Sequence, residues 1–214
     1  MRHVQSTPPF LPIFRSPGQA RLLARLLLDD GRRWRSLTEL SRWVRLAPSS
    51  VQREVDRLAR AGLVETERVG NVRRVRANMD SPFFPELRGL VVKAFGPVPV
   101  LGAALSRVPR VEKAYLFGSW ARYHLAPHMM QEPPRDIDVL VVGLPDPNRV
   151  YQACAVAERE LGLEVSPTIV DPGSWSRAGH ADAPAFVRAV RTSELVPLDE
   201  VSWEQEGSVK PEPR

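Results

Sequence analysis

Cysteine occurs once in the 214-residue chain, at position 154. An internal disulfide is therefore excluded; the lone Cys154 suits a reducing compartment and reads as a small buried apolar residue. Long apolar runs are missing as well, none approaching the roughly 18 residues that cross a bilayer. The opening MRHVQSTPPFLPIF has neither the apolar stretch nor the small-residue cleavage site of a secretory signal. The expectation is a soluble, cytoplasmic chain with no membrane partner.

Lysine is absent from residues 1–80, yet that segment holds 16 arginines against 8 acidic residues, a balance of +8. Since the whole chain has 30 basic and 25 acidic side chains, residues 81–214 retain 14 and 17, a balance of −3. The basic character is local. Only the first part is suited to a polyanion, because counterion release scales with clustered phosphate contacts. A hydrophobic content of 43% is ordinary and fills two modest cores or one larger one.

Periodicity divides the chain further. Residues 1–16 are proline-rich without a repeat and read as a flexible arm, and 199–214 read as a flexible tail. Between them, helical spacing appears over 17–30, with Leu22, Leu23, Leu26 and Leu27 on one face, then over 36–45 and 48–61. Gly62 closes the third helix. Residues 63–78 alternate around Gly70-Asn71 (VETERVGNVRRVRA), the pattern of a two-stranded ribbon with a tight turn. Three helices and a ribbon describe a winged helix-turn-helix over 17–80. A connecting helix is expected over 81–96 and another over 97–108, with the domain boundary near Gly96-Pro97.

The stretch SLTELSRWVRLAPSSVQREVDRLARAGLVETERVGNVRRVRAN resembles the ArsR and MarR type of bacterial regulator domain. The resemblance implies that the helix over 48–61 enters the major groove of double-stranded DNA and the ribbon lies along the adjacent backbone. Val51, Val55 and Leu58 recur at core spacing, which leaves Ser49, Ser50, Gln52 and Arg53 exposed to reach base edges or phosphates. Arg68, Asn71, Arg73 and Arg74 sit on or near the ribbon, where positive charge positions a duplex. Such helices also serve as dimer or protein-binding modules.

The second part opens with an apolar strand over 111–117 (VEKAYLF), followed by Gly118-Ser119-Trp120-Ala121-Arg122 and then a loop. Asp136 and Asp138 begin the next strand. Period two puts both carboxylates on one face with Cα atoms roughly 6.6 Å apart, a spacing that lets them converge on metal ions. Phosphoryl chemistry needs charge neutralisation and a grip on the phosphates. Asp136 and Asp138 would hold Mg²⁺, a Gly118-Ser119 turn would present backbone N–H groups and a hydroxyl to a nucleoside triphosphate, and Arg122 would add charge.

A strand, GSxAR, a loop and DxD on the next strand resemble the minimal nucleotidyltransferases of the DNA polymerase β-like superfamily over about 97–196. Three departures bear on activity. Tyr123 stands where the family has glycine, Arg135 where a serine commonly precedes DxD, and the loop HLAPHMMQEPP is long. The resemblance also implies a third carboxylate on the strand over 163–170, where Ser166 takes its place; Glu164, two residues earlier on the same face, is the substitute general base, and Asp171 ends the strand.

Other side chains read as scaffold. His124 and His128 lie four apart in a loop with no third ligand near. Trp34, Trp43 and Trp120 read as packing residues, Trp120 placed where it could stack on a base. Helices over 147–161, with Ala153, Val156, Ala157 and Leu161 inward, and over 182–191 would cover the sheet.

The expected architecture is α+β: a flexible arm (1–16), a winged helix-turn-helix (17–80), a connecting helix (81–96), a mixed α/β nucleotidyltransferase-like domain (97–198) and a tail (199–214). The expected function is DNA-binding transcriptional regulation with an appended domain that binds Mg-nucleotide or has degenerate activity. The alternative is an active transferase moving NMP from an NTP to a hydroxyl of a protein or small molecule, antitoxin-like. By analogy with winged-helix regulators, a homodimer is expected.

Overall fold

The structure, a computed structural model, describes residues 14–28, 33–126, 134–180 and 183–198. It is mixed α+β, with two small sheets. Most of the expected arm, the expected tail and His128 lie outside the described residues.

Helices α1 (Pro17–Leu28), α2 (Leu37–Val44) and α3 (Pro48–Arg60) pack around one core. Leu22, Leu27, Leu40, Val51 and Val55 are buried there, as the helical spacing predicts. A capping box starts α2: the Ser36 hydroxyl accepts from Glu39 N–H at 3.2 Å and the Glu39 carboxylate accepts from Ser36 N–H at 2.7 Å. Pro48 begins α3 at a position where a missing N–H costs nothing. Strands β2 (Val64–Val69) and β3 (Val72–Ala77) form the expected hairpin, Val69 opposite Val72. Gly70 at φ +59 takes the first loop position, the glycine-first arrangement of a II′ turn. A third strand, β1 (Arg35–Ser36), pairs with β3 and is too short for any sequence period to reveal.

Two end-to-end helices join this unit to the next, α4 (Phe84–Phe95) and α5 (Pro97–Leu105). Together, Phe84–Leu105 are long and apolar enough to cross a membrane, against the expectation that no run approaches that length. Several of their apolar side chains have protein partners, while Leu90 is exposed. Phe84 and Val91 enter the first core, while Val92, Val98, Leu101 and Leu105 enter the second. Gly96 breaks the run where a Cβ would collide with the Val92 carbonyl.

The second sheet has the order β6-β5-β4-β7, from β4 (Val111–Phe117), β5 (Asp136–Gly143), β6 (Glu164–Val170) and β7 (Val196–Pro197). β4 and β5 are antiparallel, and β5 and β6 are parallel, joined through α7 (Pro147–Leu161). Alternation along β5 sorts its residues: Ile137, Val139 and Val141 meet α5, α7 and α6 (Gly118–Leu125), whereas Leu140 and Val142 meet α8 (Pro172–Ser176) and α9 (Ala185–Arg191). Neither α8 nor β7 was expected from the sequence, being five and two residues long.

Several expectations on this domain are corrected. Val156, expected inward, is 49% exposed, while Cys154 is buried on α7 as expected. Burial, reinforced by Glu158, pushes the Cys154 thiol up to about 11, so it stays protonated as a small apolar side chain does. Trp120 is fully buried in the second core and is in no position to stack on a base.

Arg25 of α1 ties the two units together. Its Nη1 donates to the carbonyls of Leu161 at 2.9 Å and Glu160 at 3.3 Å, capping the end of α7, while the guanidinium lies 4.0 Å from the Trp43 ring centroid. Gly162 makes room, since a Cβ there would sit 2.8 Å from Arg25 Nη2.

Candidate functional site

The first candidate surface is the exposed side of α3 with the β2–β3 hairpin. Val51, Val55 and Leu58 face the core, so Ser49, Gln52 and Arg53 project into solvent and Ser50 is half-buried. Arg53 donates to the Ser50 hydroxyl at 3.3 Å. On the hairpin, Arg68 and Asn71 are exposed. Arg73 reaches back to Asp56 of α3 at 2.6 Å, and Arg74 pairs with Glu67 at 3.3 Å. The Arg73 pair fixes the hairpin against α3, so Arg73 and Arg74 are both partly occupied in holding the surface's shape. Among the described hairpin arginines, Arg68 alone has no ion pair.

The second candidate surface lies where β4 turns into α6 beside the start of β5. The sequence suggested a glycine-serine turn there; instead Gly118 opens a helix at once. Its φ of +67 reverses the chain within one residue, a conformation that favours glycine. No side chain caps α6, leaving the leading backbone N–H groups of Gly118 and Ser119 as anion donors at the positive end of the helix dipole. Arg122 is exposed one helical turn later.

Asp136 and Asp138 occupy one face of β5, as period two demands, and Asp138 Oδ2 lies against Gly118, where a Cβ would come within 2.7 Å of it. Asp136 is exposed and Asp138 half-buried. Burial, with the Asp136 charge adding to it, raises the Asp138 carboxyl above the ordinary aspartate range. Among the described residues neither carboxylate has a hydrogen bond or ion pair. A pair of partnerless carboxylates beside free helix amides is an arrangement that a cation and an anion together would neutralise.

Register places the remaining acids. Asp136 stands opposite Glu164 and Asp138 opposite Ser166 on the parallel neighbour β6. Glu164 is thus beside the pair, but among the described residues no three His, Cys, Asp or Glu side chains converge to hold a metal ion. Asp171 is spent on structure: its carboxylate accepts from Ser174 N–H at 2.8 Å as the cap of α8, and hydrogen bonds from the Ser174 side chain and then its backbone lower its pKa. Burial, with the Lys93 charge adding to it, lowers the pKa of His124, keeping the imidazole neutral. Tyr123, in place of the glycine expected from the resemblance, is buried in the core with its ring 5.1 Å from Trp120.

Sequence reasoning missed Phe117 and Phe186. Phe117 is the register partner of Asp138 and meets Phe186 edge to face at 5.9 Å, with Phe186 42% exposed. They form an apolar wall beside the carboxylates. Phe117 was legible as an inward strand residue, but Phe186 arrives from a helix far along the chain.

The contact between Gly118 and Asp138 is testable. Gly118→Ala is expected to cost about 1–2 kcal/mol from the left-handed backbone alone, plus displacement of the carboxylate. Adding Asp138→Ala should recover the second part. Urea unfolding of the two single variants and the double variant would check this, since strict additivity would mean that the two groups do not touch.

No family model matches the chain, and no curated protein or solved structure matches it.

Proposed function

We propose that this protein is a DNA-binding transcriptional regulator, with a winged helix-turn-helix over residues 17–80 and a nucleotidyltransferase-like domain over 97–198 that binds a Mg-nucleotide. The observation carrying the first half is the pairing of the exposed α3 end (Ser49, Gln52, Arg53) with a hairpin locked to it through Asp56 and Arg73. A helix with side chains is about 10–12 Å across and the major groove about 12 Å wide, so α3 fits as the reading element and Arg68 meets the backbone.

For the second half, Asp136 and Asp138 fit a magnesium ion by donor chemistry. Magnesium typically takes one or two protein carboxylates and completes its shell with phosphate oxygens and water, so two converging acids suffice. Bound there, the ion would neutralise triphosphate charge. The amides of Gly118 and Ser119 and the Arg122 guanidinium would hold the phosphates, and Phe117 with Phe186 would offer an apolar face to the base. The position of Glu164 beside Asp136 favours a second reading, an active transferase with Glu164 as general base toward an acceptor hydroxyl.

Fluorescence anisotropy with a labelled duplex tests the regulator reading. Wild type is expected to bind with an affinity that falls steeply with salt, and an Arg53→Ala, Arg68→Ala variant should bind about tenfold or more weakly, with a salt slope shallower by about 2. Equal binding by both proteins would remove α3 and the hairpin from the interface. Transfer of label from an α-³²P-NTP to protein would decide for the second reading.

A further inference from the structure

A pocket of about 300 Å³ flanks α3, lined by Arg15, Ser50, Arg53, Glu54 and Arg57. It holds three guanidinium groups and one carboxylate. Glu54 is only 7% exposed. One of its oxygens accepts from both Arg15 Nη2 at 2.7 Å and Arg57 Nη1 at 2.8 Å. Its other oxygen is buried without a hydrogen-bond partner. Glu54 therefore sits behind the cations, while the Arg15 and Arg57 side chains are 57% and 40% exposed in front of it.

Burying a carboxylate with one oxygen unsatisfied is expensive. A buried helix position is ordinarily served by an apolar or neutral residue. What Glu54 supplies is geometry: it draws a guanidinium from the segment before α1 and another from α3 onto a single oxygen, holding both heads side by side. Each guanidinium has five N–H donors, so most of their donors remain for a ligand. Spacing of three and four adds Ser50 and Arg53 to the same stripe as Arg57.

The stripe's place on the helix identifies the ligand. With successive residues about 100° apart around an α-helix, Asp56, which holds the hairpin through Arg73, and Arg57 mark opposite flanks of an exposed arc that carries Ser49 and Arg53. A helix filling the major groove turns its two flanks toward the two phosphate strands. The hairpin serves one flank.

We propose that the Arg15–Arg57 pair is a phosphate seat for the second DNA strand, organised by Glu54 as a positioning residue that does not itself touch DNA. The proposal rests on the regulator reading given above. Its ligand is a backbone phosphodiester, so it contributes grip and register rather than sequence choice.

Electrostatics alone would lead to the opposite expectation. Glu54→Gln removes a negative charge from a surface that faces a polyanion, which by charge alone should tighten binding. If Glu54 organises the seat, the same change loosens Arg15 and Arg57, and duplex affinity should fall about three- to tenfold at fixed salt. Anisotropy titrations of a labelled duplex over a range of salt, on the full chain, would read it. Arg15→Ala, an exposed change that spares the fold, should weaken binding and make the salt slope shallower by about 1. Arg149→Ala on the distant α7 should alter neither. Tighter binding by Glu54→Gln, or an unchanged slope for Arg15→Ala, overturns the seat while leaving the regulator reading intact. A wild-type chain that binds no duplex sinks both. Should Glu54→Gln fail to fold by circular dichroism, the Arg15→Ala slope decides alone.

Discussion

Replacing Asp136 and Asp138 together by asparagine is expected to abolish magnesium-dependent nucleotide binding and, in the metal-free protein, to raise the melting temperature. Both effects have one cause. The two carboxylates share a strand face, Asp138 is partly desolvated, and neither has a partner among the described residues. Loss of outer partners of a metal site alone changes affinity 10- to 100-fold, so removing both ligands should exceed about 100-fold. Stabilisation on neutralising the pair should be small, on the order of a degree or two, because Asp136 is exposed and solvent screens the repulsion. Calorimetric titration of ATP, GTP, CTP and UTP with Mg²⁺, and thermal melts without it, measure the two. Undiminished binding by the variant would remove Asp136 and Asp138 from the binding site.

The pH dependence has a definite sign. Folding raises the Asp138 carboxyl above its unfolded value, so the folded protein resists ionising it. The penalty is absent below the unfolded aspartate value of about 3.9 and grows as pH rises through the raised folded value. Metal-free wild type should therefore lose stability over that window relative to the double variant. Magnesium affinity should decline on acidification sooner than an unperturbed aspartate would dictate.

Trp120→Ala is expected to cost about 3–5 kcal/mol, a large part of the roughly 5–15 kcal/mol that holds a domain together. Protein surrounds Trp120 on every side: its exposure is 0%, and its ring meets Tyr123 edge to face. Trp120→Phe should be milder, because it removes less side-chain volume and because among the described residues the indole N–H has no hydrogen-bond partner, so its removal relieves a buried, unsatisfied donor. Urea unfolding followed by near-ultraviolet circular dichroism would separate the two variants. A Trp120→Phe loss well beyond what its missing volume accounts for would mean that the indole nitrogen is bonded after all.

Much of the architecture was legible because it rests on local periodicity. The leucines of α1, the Val51-Val55-Leu58 spacing of α3, the Gly70-Asn71 turn and the alternation of β5 each derive from side-chain geometry within one element. Short elements were not legible, since two residues of β1 or β7 carry no period and their pairing comes from distant strands. Val156 turned outward for a related reason: it lies near the apolar stripe of α7, and only the packing of α5 and the sheet against that helix decides which residues are covered. At Gly118 the glycine-serine pair signals a turn; whether the chain then continues as a helix is set by the residues after that pair and by what they pack against.

At the candidate site, sequence alone determined that Asp136 and Asp138 share a face, because strand alternation admits no other arrangement, and that the basic charge is concentrated before residue 81. Tertiary structure decided the rest. It set Gly118 against Asp138, placed Ser166 rather than Glu164 opposite Asp138, brought Phe186 to the site from a remote helix, committed Asp171 to a cap and gathered Arg15 and Arg57 onto one oxygen of Glu54. Most of those relations join residues far apart in the chain, and a chain's local periodicities fix the direction of each side chain within its own element but not which element it will meet.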